Sequence, residues 1–199
     1  MQRSIFLTLS LFGAALFTGC RGILNFSPEM AVQQSLMEHP PFNSTIQPDT
    51  LAVLQTVDFE GSKFVLARFN TLDGNGQVSE CTQMYETIRR AGSWFTGSGG
   101  GGCGPAGANQ NPIGVGTGSS INNERAYSSA NGLVYQEDFQ AIEVIWDDGE
   151  TQRVEVINGS YMVLRSGIHQ VAFIHAYNEF EEAIYTYERP EPAPGKEGG

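Results

Sequence analysis

The C-terminal part of this chain turns about every ten residues, and that spacing constrains its fold more than any other feature. Asp148-Gly149, Asn158-Gly159, Ser166-Gly167 and Asn178-Glu179 separate short apolar runs. Gly and Asn reach positive φ at little steric cost, so such pairs close tight hairpins. The runs between them are Ala141–Trp146, Thr151–Ile157, Tyr161–Arg165, Val171–Tyr177 and Ala183–Tyr187. Each is too short for a stable helix. In the first, Ile142, Val144 and Trp146 fall on one face by the two-residue period of a strand. Five such strands predict an antiparallel sandwich or barrel.

The period is also two in the first half. Leu51–Val57, Lys63–Phe69, Gln77–Ile88 and Ser93–Thr96 read as strands of a small antiparallel β-meander over residues 51–96. Glu60-Gly61-Ser62 is a turn, and Asp73-Gly74-Asn75-Gly76 is a strong hairpin signal. Met84–Arg90 lacks clean alternation and leaves a helical alternative open. Upstream, Ser27-Pro28-Glu29 combines an N-cap, a first-turn proline and an early acid. A short helix from Pro28 to about Glu38 is predicted, stopped by Pro40-Pro41, within a tether spanning residues 20–50. Residues 188–199 read as a disordered polar tail.

Between the two strand-rich parts the composition changes. Of the 24 residues from Gly97 to Ser120, ten are glycine, which predicts a flexible linker over residues 97–124. Residues 125–187 then form the second β-rich part. The expectation is a mainly β chain, with a β-meander followed by an antiparallel sandwich.

The turn pattern over residues 92–187 resembles the closing strands of immunoglobulin-like sandwiches. It is also similar to C-terminal modules of uncharacterised bacterial exported proteins, in which a tryptophan and a glycine-rich loop precede such a meander. The resemblance implies an immunoglobulin-like sandwich and brings no known site with it. The Cys-Trp-Cys hallmark of antibody domains is absent.

The N-terminus decides where such a body would reside. Arg3 precedes an uncharged run, Ile5–Phe17, too short for a bilayer core that needs about 20 residues. It has the length of a signal-peptide apolar segment. It ends in Leu16-Phe17-Thr18-Gly19-Cys20, which resembles the lipobox of bacterial lipoproteins, with Phe17 where Leu usually stands. The resemblance implies removal of residues 1–19 and lipid on Cys20, commonly diacylglycerol with an N-acyl chain. Two or more chains anchor firmly where one does not. Arg21, rather than Asp, implies an outer-membrane destination where the organism has one.

An exported chain permits disulfides. Cys81 and Cys103 are the cysteines beyond Cys20, and a bridge between them would close a 23-residue loop, worth about 3 kcal/mol in the chain-entropy model. Two unpaired thiols are the alternative. No C-x-x-C occurs, which excludes redox and zinc motifs of that type.

The formal net charge is −11, and no basic run is present. Phosphate-neutralising contacts need such a run, so nucleic acid is excluded as a partner. The same charge predicts membrane contact through lipid alone. The glycine run is not a nucleotide cradle: no Lys-Ser/Thr follows it, and the lysines are Lys63 and Lys196. No cofactor is expected.

Other candidates have plain structural readings beside them. Asp73-Gly74-Asn75-Gly76-Gln77 begins like a calcium loop, but the sixth and twelfth positions hold Val78 and Met84. Asp147-Asp148-Gly149-Glu150 reads as an acidic hairpin tip. His169 and His175 flank one strand without a third metal ligand, and His39 stands alone. Trp94, Phe95, Trp146, Tyr161, Tyr177, Tyr185 and Tyr187 are candidates for a binding surface, or for core and cross-strand pairs. No G-x-S-x-G elbow occurs, and Ser98 and Ser119 lie in the glycine-rich segment. No residue is assigned a catalytic or metal role.

The sequence therefore predicts a noncatalytic, lipid-anchored cell-envelope protein acting through protein or glycan contacts. Two other classes stay open. One is an envelope hydrolase with an unrecognised site; the other is an acidic inhibitor or immunity-type protein.

Overall fold

The computed structural model describes residues 25–41, 44–106, 111–122 and 125–190. One helix, α1 (Pro28–Glu38), precedes eleven strands: β1 (Thr45–Phe59), β2 (Ser62–Leu72), β3 (Val78–Arg90), β4 (Ser93–Pro105), β5 (Gly116–Asn122), β6 (Arg125–Leu133), β7 (Ala141–Trp146), β8 (Thr151–Glu155), β9 (Ser160–Ser166), β10 (Val171–Tyr177) and β11 (Ala183–Glu188). Every pairing between them is antiparallel. The first sheet is the meander β1-β2-β3-β4; the others have the orders β5-β6-β9 and β11-β10-β7-β8. The last two face each other as an antiparallel β-sandwich.

The layers follow from alternation. One face of the first sheet presents Val65, Ala67, Phe69 and Cys81 to Val32 and Leu36 of α1. The opposite face presents Leu54, Phe64, Leu66 and Met84 to Tyr127 and Leu133 of β6 and to Met162 and Leu164 of β9. The far faces of β6 and β9 place Ala130, Tyr161 and Val163 against Ile142, Val144, Trp146 and Ile174. The three-stranded sheet is thus covered on both sides. That accounts for the unbroken burial of β6 from Tyr127 to Leu133, in a strand of mostly small residues.

Turn chemistry sets the registers. Glu60-Gly61, Ala91-Gly92 and Asn158-Gly159 all have positive φ at both residues, the geometry that two-residue hairpins favour. α1 has the predicted bounds, with the Ser27 hydroxyl accepting from the Met30 amide. Met84–Arg90 is strand.

Three sequence expectations are corrected. The tether does not run to Thr50: β1 begins at Thr45 and carries Pro48 where its register shifts between Gln47 and Ala52. An edge strand tolerates proline at such an irregularity. The glycine-rich linker is not a loop at either end. Gly97–Pro105 continues β4 along β3, and Gly116–Asn122 forms β5. Backbone pairing with a neighbouring strand supplies what composition alone does not reveal. The expected tail begins later, since β11 reaches Glu188, and residues 191–199 lie outside the described residues.

Candidate functional site

The glycines of β4 divide into two sets by the strand period. Gly99 and Gly101 face the α1 side. A β-carbon on Gly99 would meet the Tyr85 ring at 2.7 Å, and one on Gly101 would meet the Thr82 carbonyl at 2.1 Å. These two are required by packing. Gly100, Gly102 and Gly104 pair with Met84, Thr82 and Glu80 and face the sandwich; a β-carbon on any of them would meet nothing within 4 Å. Packing does not require them.

Across from them, β5 turns Gly116 and Gly118 in the same direction as Asn131 and Ser129, their partners on β6. Packed sheets are normally separated by about 10 Å of interleaved side chains. Here both facing edges lack side chains, so the sheets leave a cleft of about 640 Å³ between β4 and β5. β4 and β5 are each the outer strand of their sheet. Outer strands carry backbone donors and acceptors not used by the ladder.

The side chains around this cleft are mostly neutral and polar. Tyr135 donates its hydroxyl to Glu80 at 3.1 Å. Ser98 donates to Glu86 at 3.1 Å, with the Tyr127 hydroxyl 3.0 Å away. Glu86 is buried and also accepts from Ser62 at 2.8 Å. Ser129 donates to the Gly118 carbonyl at 3.4 Å. Among the lining residues Glu80 is the one carboxylate, and none is basic. Such a lining offers hydroxyls, an amide and peptide groups. It suits recognition of a ligand's backbone or hydroxyls more than charge-driven capture.

The structure distributes the sequence candidates as follows. Cys81 and Cys103 are joined, as opposite residues on the β3–β4 ladder. Cys20 and the apolar run before it lie outside the described residues. Asp73 caps its hairpin, accepting from the amides of Asn75 and Gln77 at 2.8 Å each. The bond from Gln77, then that from Asn75, hold its carboxyl below the usual range.

The three histidines do not converge. His39 ends α1, and His175 shares a hydrogen bond with Thr186 on β11. His169 reaches the Asp147-Asp148 tip, with carboxylate oxygens at 3.6 and 3.5 Å, so that three ligand-type atoms lie within 4.8 Å of one another. Sequence spacing did not connect His169 with this tip. The Asp148 carboxylate is already held by both arms of Arg165, at 2.7 and 2.6 Å, and Arg165 lies over the Trp146 ring. A cation there would have to displace the guanidinium. The arrangement is a hairpin-tip ion network, and the bidentate contact holds Asp148 down to about 2.

Most of the aromatic candidates belong to the core. Trp146 and Tyr161 are fully buried, and Tyr185 and Tyr187 pack against the same cluster. Burial pushes the Tyr161 hydroxyl well up, and it donates to the Gly114 carbonyl at 3.1 Å. Tyr177 lies on the outer face, under Arg153, and donates to Glu143. Trp94 and Phe95 sit on the β3–β4 hairpin. The cleft itself was not predicted, although Gly114-Val115-Gly116-Thr117-Gly118 alternates with the period of a strand.

No family model, curated protein or solved structure matches this chain.

Proposed function

We propose that this chain is a noncatalytic binding module of a bacterial cell envelope, held to a membrane by lipid on Cys20, and that its cleft receives an extended polypeptide segment. The supporting observation is the pair of glycine-bearing outer strands, β4 and β5, on the two sides of one cleft. Where walls carry no side chains, peptide groups do the recognising. An extended chain matches that pattern of donors and acceptors, as in strand addition to a sheet edge. The polar, largely uncharged lining agrees with this reading. The exported setting rests on the resemblance at Leu16–Cys20.

The binding reading is tested with a library of short extended peptides, scored by mass spectrometry after capture on the purified chain. Gly102→Val places a branched side chain in the cleft at a position where nothing else is touched. Capture by the wild type and loss of capture by a folded Gly102→Val variant is the expected result. Equal capture by both overturns the cleft as the site. Labelled palmitate incorporation that survives Cys20→Ala would remove the anchor.

A further inference from the structure

The tips of the β1–β2 and β3–β4 hairpins share one end of the molecule with Arg125, which opens β6: Arg125 donates to the Glu60 carbonyl and borders one hollow with Glu60, Arg89 and Arg90. That same end is where the chain arrives from Cys20. The Asn25 amide donates to Ser93 at 3.0 Å, and the Trp94 amide donates to the Asn25 carbonyl at 3.0 Å. Asn25 is five residues after Cys20. An extended chain spans at most about 3.6 Å per residue, so lipid on Cys20 would tether Asn25 by no more than about 18 Å of chain.

The chemistry of this end departs from the rest of the chain. The last rungs of the hairpin pair Ile88 with Phe95, Arg89 with Trp94 and Arg90 with Ser93. Arg89 and Arg90 are exposed and form no ion pair among the described residues. With Arg125 they border a hollow of about 350 Å³. Asp58 is paired with Lys63, while Glu60 and Glu86, hydrogen-bonded to neutral hydroxyls, keep their charge beside the hollow, so its three arginines stand against two carboxylates. Phe95 is 49% exposed, and Phe26, next to Asn25, is 74% exposed. Arginines beside exposed aromatic rings on a narrow tip form the usual combination for a membrane interface.

We infer that the β3–β4 tip, with Phe26 beside it, is a surface that docks on anionic lipid headgroups and fixes the orientation of the module. This rests on lipid attachment at Cys20. The overall charge predicts no attraction to an anionic leaflet, but charges act over about 8 Å at physiological salt, so the local set decides. Arg89 and Arg90 meet headgroup phosphates, and Phe95 and Phe26 enter the interfacial layer.

Trp94 on the tip reports the contact, because the other tryptophan, Trp146, is buried in the sandwich core. The full lipid-bearing chain is reconstituted into vesicles of brominated phosphatidylcholine, alone or in equal mixture with phosphatidylglycerol, and tryptophan quenching is measured. Quenching is expected in the mixed vesicles, much less in phosphatidylcholine alone, and not in Trp94→Phe. Arg89→Glu with Arg90→Glu should reduce the docked-to-undocked ratio at least ~25-fold, about fivefold for each arginine lost. The chain should still float with the vesicles, and circular dichroism should be unchanged.

Quenching that is equal in both vesicles and insensitive to the charge reversal overturns the proposal. So does an unquenched Trp94 in a floating, lipid-bearing chain, a result that would leave the tip to a protein partner and the anchor intact. A chain whose mass shows no lipid on Cys20 overturns the anchoring reading and this proposal together.

Discussion

Cys81 and Cys103 stand opposite each other on the β3–β4 ladder, with Cα atoms 4.0 Å apart and sulfurs bonded. Cys81 belongs to the core beneath α1, whereas Cys103 lies on the exposed glycine end of β4. The bridge therefore pins an outer strand with few side chains of its own to a packed layer. Its loop contains Gly99–Gly102, whose unfolded entropy is large. Cys103→Ser should lower stability by about 3 kcal/mol. Urea unfolding with and without dithiothreitol checks this: the reductant should lower the wild-type midpoint and leave that of the variant unchanged.

Neighbouring glycines of β4 should respond with opposite sign. Gly101→Ala drives a β-carbon into the Thr82 carbonyl and the Gln83 backbone, and should cost about 1–3 kcal/mol. Gly102→Ala meets open space and restricts the unfolded chain, so it should stabilise by about 0.4–1 kcal/mol. Thermal unfolding of the two variants decides it. A loss of stability in both would mean that the cleft-facing glycines are also demanded by packing.

Strands whose burial alternates were legible. β7 and β10 lie where Trp146 and Ile174 and their neighbours placed them, because one covered face leaves an apolar-polar rhythm, whereas β9, buried from Ser160 to Leu164, was legible from the turns that flank it. β4 was legible only from Ser93 to Thr96, and β5 not at all, because the apolar signal vanishes when the repeated residue is glycine. β6 was legible only in its start near Arg125, for a different reason. Both its faces are covered, so Ser128, Ser129 and Asn131 are buried and bonded rather than exposed. The link between His169 and the Asp147-Asp148 tip depends on which strands are neighbours, and spacing along the chain does not contain that.

The Asp148–Arg165 pair makes stability depend on acid. The bidentate hydrogen bond to Arg165 holds the folded carboxyl near 2, below its ordinary value of 3.8. The contribution is fully present above pH about 4 and is lost as pH falls through 2. Asp148→Asn should therefore be less stable than wild type at pH 6, and the difference should shrink on acidification toward pH 2. Urea midpoints of both proteins across that range test it, and a pH-independent gap would contradict the linkage.

The first sheet and the sandwich should unfold together. β6 and β9 supply Tyr127, Leu133, Met162 and Leu164 to one core and Ala130, Tyr161 and Val163 to the other, so neither core can form without the same two strands. Polar contacts join the layers as well. Gln55 on β1 donates to the Ser160 carbonyl at 2.8 Å and to its hydroxyl at 3.0 Å, while Asn158 donates to the Leu54 carbonyl at 2.9 Å. Removing Gln55 leaves the Ser160 carbonyl with its bond from the Ile157 amide and takes the donor from the Ser160 hydroxyl, at a cost of about 0.5–1.5 kcal/mol for each bond lost. Gln55→Ala should lower the unfolding temperature without splitting the transition. Calorimetry should show one peak in both proteins, with calorimetric and van't Hoff enthalpies in agreement. Two peaks in the wild type would show that the shared sheet does not couple the cores.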